Sequence, residues 1–485
     1  MTGAPTLSKR AVAALGAVLF LLLIGLQSLG YDSAGNRDLW GRALLANDGL
    51  SSLQDVVTRF PPLPFVATAA LGALFPWPGP TAPEVLAVML ACMLACGWLL
   101  LLARNEYSRI VCIGAVILLV SNPLFLRAVA DGPGFVLLHW SIWLLALGMF
   151  NLRRTNRVND VILISLALIV ASFSHSFGLF LALSALPFLA LVIPKDQLLT
   201  APTAVFLVLL FPLIFTLAAF VYINWIFAGD PLYFLTVLNS EGSGHLQDGA
   251  GSRALGAVII ALIGVLVTCP PAAIILARSS GLLSFRIAVF GLLGLLLAAS
   301  LLCSLFEMLP AISLVASLGV TLSAACAVSW PRERSRRGEL LLLLAAGWIG
   351  GALFVFADPA NDTVRWRSAH TGGVAAPPDA ELEALGRYLQ GYDVILFDGD
   401  AAPAVVAARG DAEGIWSGDS TLFEPGGEGP GIDADVIVVR SRYSSAGSDL
   451  VGQSYPDLFD EGRPGYRLAF DGAHWRAYAR EEQAR

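Results

Sequence analysis

Residues 11–38 read AVAALGAVLFLLLIGLQSLGYDSAGNRD. From Ala11 to Gly30 there is no charge, and Lys9-Arg10 stands directly before the run. A helix needs about 20 apolar residues to cross ~30 Å of hydrocarbon, whereas the apolar region of a secretory signal has about 7–15. The run therefore reads as a first transmembrane helix, not a cleaved leader. Its continuation, Tyr31-Asp32-Ser33, opens a polar stretch that starts a new helix. Asp32 or Ser33 can cap that helix. Leu39, Trp40, Ala43, Leu44 and Ala46 form its apolar side, and Asn47-Asp48-Gly49 stops it.

The rest of the chain follows the same grammar. Of 485 residues, 56% are hydrophobic and 14% charged, against about 45–50% and about 25% for soluble domains. That excludes disorder, a disulfide mini-protein and an ordinary soluble enzyme. Further apolar segments lie near 83–103, 110–126, 134–150, 159–174, 177–193, 204–227, 255–277, 286–304, 308–329 and 340–356. The expected fold class is a polytopic α-helical membrane protein of about 11 transmembrane helices. Pro64–Phe75 is too short to cross and reads as interfacial or re-entrant. With the N-terminus cytoplasmic, the clusters Arg104–Arg109, Arg153–Arg157, Arg278–Arg286 and Arg332–Arg337, with Lys195, all fall inside, as the positive-inside rule asks.

Charge separates a tail from this body. From Asp358 onward 22 acidic and 11 basic residues give −11, and residues 1–357 carry +4. The expected organisation is a transmembrane domain 1–357 with an outer loop 31–82 of interfacial helices, a linker 358–378 rich in Pro, Gly and Asp, and a small α/β extracytoplasmic domain 379–485. In that domain Asp379–Gln390 is an amphipathic helix, Asp393–Phe397 and Asp435–Val439 are buried strands, and Ala402–Ala408 is helical. Asp471-Gly472 marks a hairpin. All six cysteines lie in apolar runs and read as packing residues. No basic block or aromatic-basic stripe points to nucleic acid.

The segment after the first span, with Arg59 and Pro61-Pro62-Leu63 further on, resembles the glycosyltransferase-C superfamily, the polyprenyl-phosphate-sugar-dependent membrane enzymes that include the dolichyl-phosphate-mannose-protein mannosyltransferases. Asp32 matches the first acid of that family's motif, and Pro61-Pro62-Leu63 its proline element. Asn122-Pro123-Leu124-Phe125-Leu126-Arg127, followed by Asp131, is similar to its second outer loop. The second acid of the family pair is Ser33 here, and Asp38 is the candidate substitute. The resemblance implies sugar transfer from a polyprenyl phosphate to an acceptor hydroxyl of a glycan, lipid or protein, on the outer face of a bacterial inner membrane, in cell-envelope glycan assembly.

Such chemistry needs a carboxylate base and a cation where phosphate charge develops. Asp32 and Asp38 are the candidate catalytic residues. Arg59, Arg127, Asp131, His175 and Arg253 are the candidate substrate-binding residues. Each has a plainer rival: a helix cap for Asp32, a snorkelling side chain for Arg127, a turn at Asp131-Gly132-Pro133, a structural histidine at His175, and solvated charges at Arg59 and Arg253. Asp398-Gly399-Asp400 reads as a turn before it reads as a metal pair. No metal ligand or cofactor is assigned, and a divalent ion is left open. Tyr233-Phe234 reads as an interfacial anchor. Two other readings stand beside the transferase: a non-catalytic scaffold of polysaccharide assembly, and a lipid or solute transporter. Apolar runs nearly free of charge weigh against the transporter.

Overall fold

The computed structural model describes residues 9–481 except 30, 48–52, 76–78, 156, 195–198, 200–201, 235–251, 278–282, 307, 331–333, 374–378, 417–433 and 445–447. It is mostly helical, with a small sheet near the C-terminus. The helices are α1 (Lys9–Gln27), α2 (Ala34–Asn47), α3 (Leu53–Thr58), α4 (Pro62–Leu74), α5 (Ala82–Arg104), α6 (Arg109–Val120), α7 (Pro123–Asp131), α8 (Pro133–Thr155), α9 (Val158–Ser174), α10 (Ser176–Val192), α11 (Pro202–Ala228), α12 (Ser252–Thr268), α13 (Pro270–Ala277), α14 (Leu283–Leu305), α15 (Ile312–Ser329), α16 (Arg334–Ala357) and α17 (Asn361–His370). After these come α18 (Ala380–Leu389), α19 (Pro403–Arg409), α20 (Leu450–Ser454) and α21 (Leu458–Glu461).

The chain divides into two compact units. The first comprises Met1–Tyr31, Glu84–Tyr222 and Gly244–Ala375, and the second Asp32–Pro83, Ile223–Ser243 and Ala376–Arg485. Among the described residues, five helices are long and apolar enough to cross a membrane, or up to seven if each of two bent pairs is one span. The bends sit where proline interrupts an apolar run. The segment expected at 110–126 is α6 and α7, bent by 57° at Ser121-Asn122, and the segment at 255–277 is α12 and α13, bent by 87° before Pro270. Proline removes an amide donor and clashes with the preceding turn. Neighbouring side chains satisfy the freed groups. Asn122 caps α7 through Leu124 N at 3.0 Å and donates to Gly347 O at 3.2 Å. Ser323 Oγ donates to the carbonyl of Thr268 at 2.9 Å. Val158–Ser174, Ser176–Val192 and Ile312–Val328 are shorter apolar helices, as is the 13-residue Pro62–Leu74.

Within the first unit the core is aliphatic and aromatic, with Trp98 set edge-on to Trp143. Polar side chains lie inside it as well. His139 is fully buried, its Nδ1 2.7 Å from Thr321 Oγ1 and its Nε2 3.0 Å from Ser317 Oγ. The stretch read as a linker contains α17. Its start is organised by Asp358, whose carboxylate accepts from Ala360 N at 3.1 Å and from the Thr363 hydroxyl at 2.9 Å.

The second unit contains the sheet. Its strands are β1 (Ile395–Leu396), β2 (Ile415–Trp416), β3 (Val436–Arg440), β4 (Tyr466–Asp471) and β5 (Trp475–Arg480), in the order β2-β1-β3-β5-β4. β1 pairs in parallel with both β2 and β3, and β5 runs antiparallel between β3 and β4. Val436 to Val439 are all buried, as expected for a central strand covered on both faces. Asp379 caps α18 through the amides of Glu381 and Leu382. Glu381 Oε1 in turn accepts from His474 N and Trp475 N, each at 2.8 Å, fastening α18 to the hairpin turn.

Candidate functional site

In the second unit α2 lies against the α/β layer. Ser33 O accepts from Arg37 N at 3.1 Å, which opens the helix. Its buried face presents Trp40, Ala43 and Leu45. Leu45 joins the sheet core with Phe397, Val405 and Trp475. Trp40 and Ala43 pack with Ala82, flanked by Ala69 and Ala407. At Gly41 the two backbones meet. A Cβ there would stand 1.9 Å from the Pro403 carbonyl oxygen, so only glycine lets α2 approach α19 this closely.

This placement brings charged side chains together. Arg37 Nε donates to Asp32 Oδ2, and Arg37 Nη1 donates to Glu383 Oε2 at 3.0 Å. Glu383 Oε1 also meets Arg387 Nη2 at 3.1 Å. Burial works to weaken the Arg37 charge, but Asp32 and Glu383 outweigh it and hold the guanidinium above its ordinary range. Asp32 keeps 36% of its side chain exposed. Asp38 lies half-buried on the same helix. Arg59 is buried and donates to Asp400, so it joins the segment after α3 to the turn after β1.

Beside that turn the strand ends form a polar cluster. Asp398 accepts from Ala401 N at 3.2 Å and from Leu450 N at 3.0 Å. Asp449 accepts from Gly452 N at 2.8 Å and Arg440 N at 3.2 Å. Burial pushes Asp449 up to about 6, and it raises Asp398 as well. Among the described residues no group of three or more His, Cys, Asp and Glu side chains is arranged to hold a metal ion.

No protein-family profile matches this chain, and no curated protein does.

The first unit has its own charged cluster, between α7, α17 and the end of the first apolar segment. Arg127 is fully buried, with Nη1 3.4 Å from Asp131 Oδ1. The Tyr31 ring has the Arg127 guanidinium 5.4 Å from its centroid and the Arg365 guanidinium 5.7 Å away. Such cation–π contacts gain from desolvation. Arg365 is also paired with Asp362 at 3.0 Å. Burial raises the Tyr31 phenol above its usual range and keeps it protonated. His175 caps α10 by accepting from Phe177 N at 3.1 Å, and its ring stands edge-on to Phe135.

The sequence-level candidates thus fall into two groups. Asp32, Asp38 and Arg59 lie in the second unit; Arg127, Asp131 and His175 lie in the first. Arg253 is in the first turn of α12, and its side chain lies outside the described residues, as does His245. Phe234, expected as an interfacial anchor, is buried against Phe60 with ring centroids 5.8 Å apart. Arg37, Glu383, Tyr31 and Arg365 were not singled out from the sequence. Arg37 had a signal, five residues after Asp32 in the same polar stretch. Glu383 had none.

Proposed function

We propose that this chain is an integral-membrane glycosyltransferase that moves a sugar from a polyprenyl-phosphate donor to an acceptor hydroxyl, with Asp32 as general base. The observation that carries the reading is Asp32 itself: a half-exposed carboxylate at the start of α2, directly after the first apolar segment, held in place by Arg37. In this reading the membrane part has eleven spans with a cytoplasmic N-terminus in the bacterial inner membrane. The outer loop and the C-terminal domain then face the extracytoplasmic side. The arginine clusters between apolar runs support that orientation.

The acceptor oxygen forms a bond to the anomeric carbon as the bond from that carbon to the phosphate oxygen breaks. Asp32 takes the acceptor proton, and polyprenyl phosphate leaves with the electron pair. An arginine must meet the charge that grows on the phosphate. Arg59 is the candidate in the same unit as Asp32. Arg127 and Asp131 pack around Tyr31, the residue before Asp32, and support the start of the outer loop.

The test is reconstitution in lipid nanodiscs with radiolabelled polyprenyl-phosphate sugars, comparing wild type with Asp32→Asn. Loss of a general base lowers turnover by about 10²–10⁴-fold. We expect that loss with donor binding and protease resistance retained. Turnover that survives in the variant makes Asp32 a helix cap. A second reading, a non-catalytic scaffold, is favoured by the engagement of both key charges, Asp32 by Arg37 and Arg59 by Asp400. A folded wild type that binds no donor selects it.

A further inference from the structure

We infer that Glu383 of the C-terminal domain is a positioning residue for Asp32, acting through Arg37; the inference rests on the reading of Asp32 as the base. Asp32, Arg37, Glu383 and Arg387 form a chain of alternating charge within one compact unit. A guanidinium is planar, with its N–H donors in a fixed fork. The oxygen of Glu383 on Nη1 therefore fixes the plane in which Nε meets Asp32. Glu383 is itself well placed. Its helix α18 is capped by Asp379 and fastened to the β4–β5 turn by Glu381. The α/β layer is thus the rigid support on which the outer-loop carboxylate is aimed.

Glu383 has a second effect. A cation shared between two carboxylates grips each less firmly than it would grip one alone. Glu383 takes part of the Arg37 charge away from Asp32 and leaves that carboxylate able to accept a proton. Without Glu383 the guanidinium belongs to Asp32 alone, and the base is quenched. The C-terminal domain then acts on the chemistry of the outer loop as well as covering it.

The experiment reads Asp32 directly. A water-soluble carbodiimide with glycine ethyl ester converts accessible, protonated carboxyls to amides, and peptide mass spectrometry follows Asp32 in the full chain in nanodiscs. In Arg37→Gln the labelling of Asp32 is expected to rise about threefold. In Glu383→Gln it is expected to fall about two- to threefold, the size of one half-exposed ion pair. Glu383→Asp restores most of the wild-type rate. The opposite signs matter. If Glu383 only held the loop in place, its loss would loosen α2 and raise labelling. A rise or no change in Glu383→Gln overturns the inference. Donor turnover measured on the same samples separates the two claims. The labelling pattern without wild-type turnover keeps the relay and removes the transferase. Turnover dependent on Asp32 with labelling indifferent to Glu383 does the reverse.

Discussion

Replacing Gly41 by alanine should separate α2 from α19. The added Cβ would lie 1.9 Å from the carbonyl oxygen of Pro403, 2.5 Å from its carbon and 3.1 Å from its Cα. A carbon–oxygen contact normally stands at about 3.3 Å or more. The two backbones must therefore part by more than about 1 Å. No rotamer relieves this, because the obstructing atoms are backbone and Pro403 has its φ fixed by its ring. Overpacking of this kind costs about 1–3 kcal/mol. Alanine returns about 1 kcal/mol through its helix propensity over glycine. The obstacle is rigid, so the upper end of the cost applies and the net loss is about 2 kcal/mol. Hydrogen exchange in nanodiscs reads this locally. Amides of α2 and α19 should exchange about 30-fold faster. The control is Gly338→Ala, where nothing lies within 4 Å of the added carbon and α16 should be unaffected or slightly firmer. Unchanged or slower exchange in α2 of Gly41→Ala would refute the close approach.

Asp449 gives a pH prediction: its carboxyl is raised to about 6 by burial, from an ordinary 3.8. The folded domain therefore holds a proton that the unfolded chain releases. The contribution is complete below about pH 4 and is lost as pH rises through 6, on the order of 3 kcal/mol. Protection of residues 450–454, corrected for intrinsic exchange, should fall across that window, and Asp449→Asn should flatten the profile. Arg127→Met removes a fully buried guanidinium and the pair it forms with Asp131. That should lower stability by about 3 kcal/mol, less than for a fully enclosed pair because Asp131 is partly exposed. Thermal denaturation of the reconstituted protein measures it, and a variant as stable as wild type removes the pair as a support of α7.

The large features were legible because they depend on local pattern. The apolar runs gave the helices, and Asp471-Gly472 gave the hairpin that forms between β4 and β5. Asp379 gave the start of α18. The two bends needed more than hydropathy, since Asn122-Pro123 and Pro270-Pro271 lie inside runs that average as continuous spans. β2 is two residues long, too short for alternation to show. The site was readable only where its residues are near in sequence. Asp32 and Arg37 share one stretch. The link from Arg59 to Asp400 crosses 341 residues, and no local pattern predicts it. Phe234 misled for a related reason: an aromatic at the end of an apolar helix looks the same whether lipid or protein covers it.

The second unit is assembled from three separate stretches of chain, the last beginning at Ala376. That arrangement sets a timetable for biosynthesis. Arg37 and Glu383 are 346 residues apart, so at about 5–20 residues per second α2 leaves the ribosome some tens of seconds before its partner exists. During that interval Leu45 has no sheet core to cover it, and Gly41 has no Pro403 to meet. Any chain stopped before the final domain keeps that face open. The C-terminal domain therefore closes over α2 only late in synthesis, and assembly of this unit waits for the stretch that begins at Ala376.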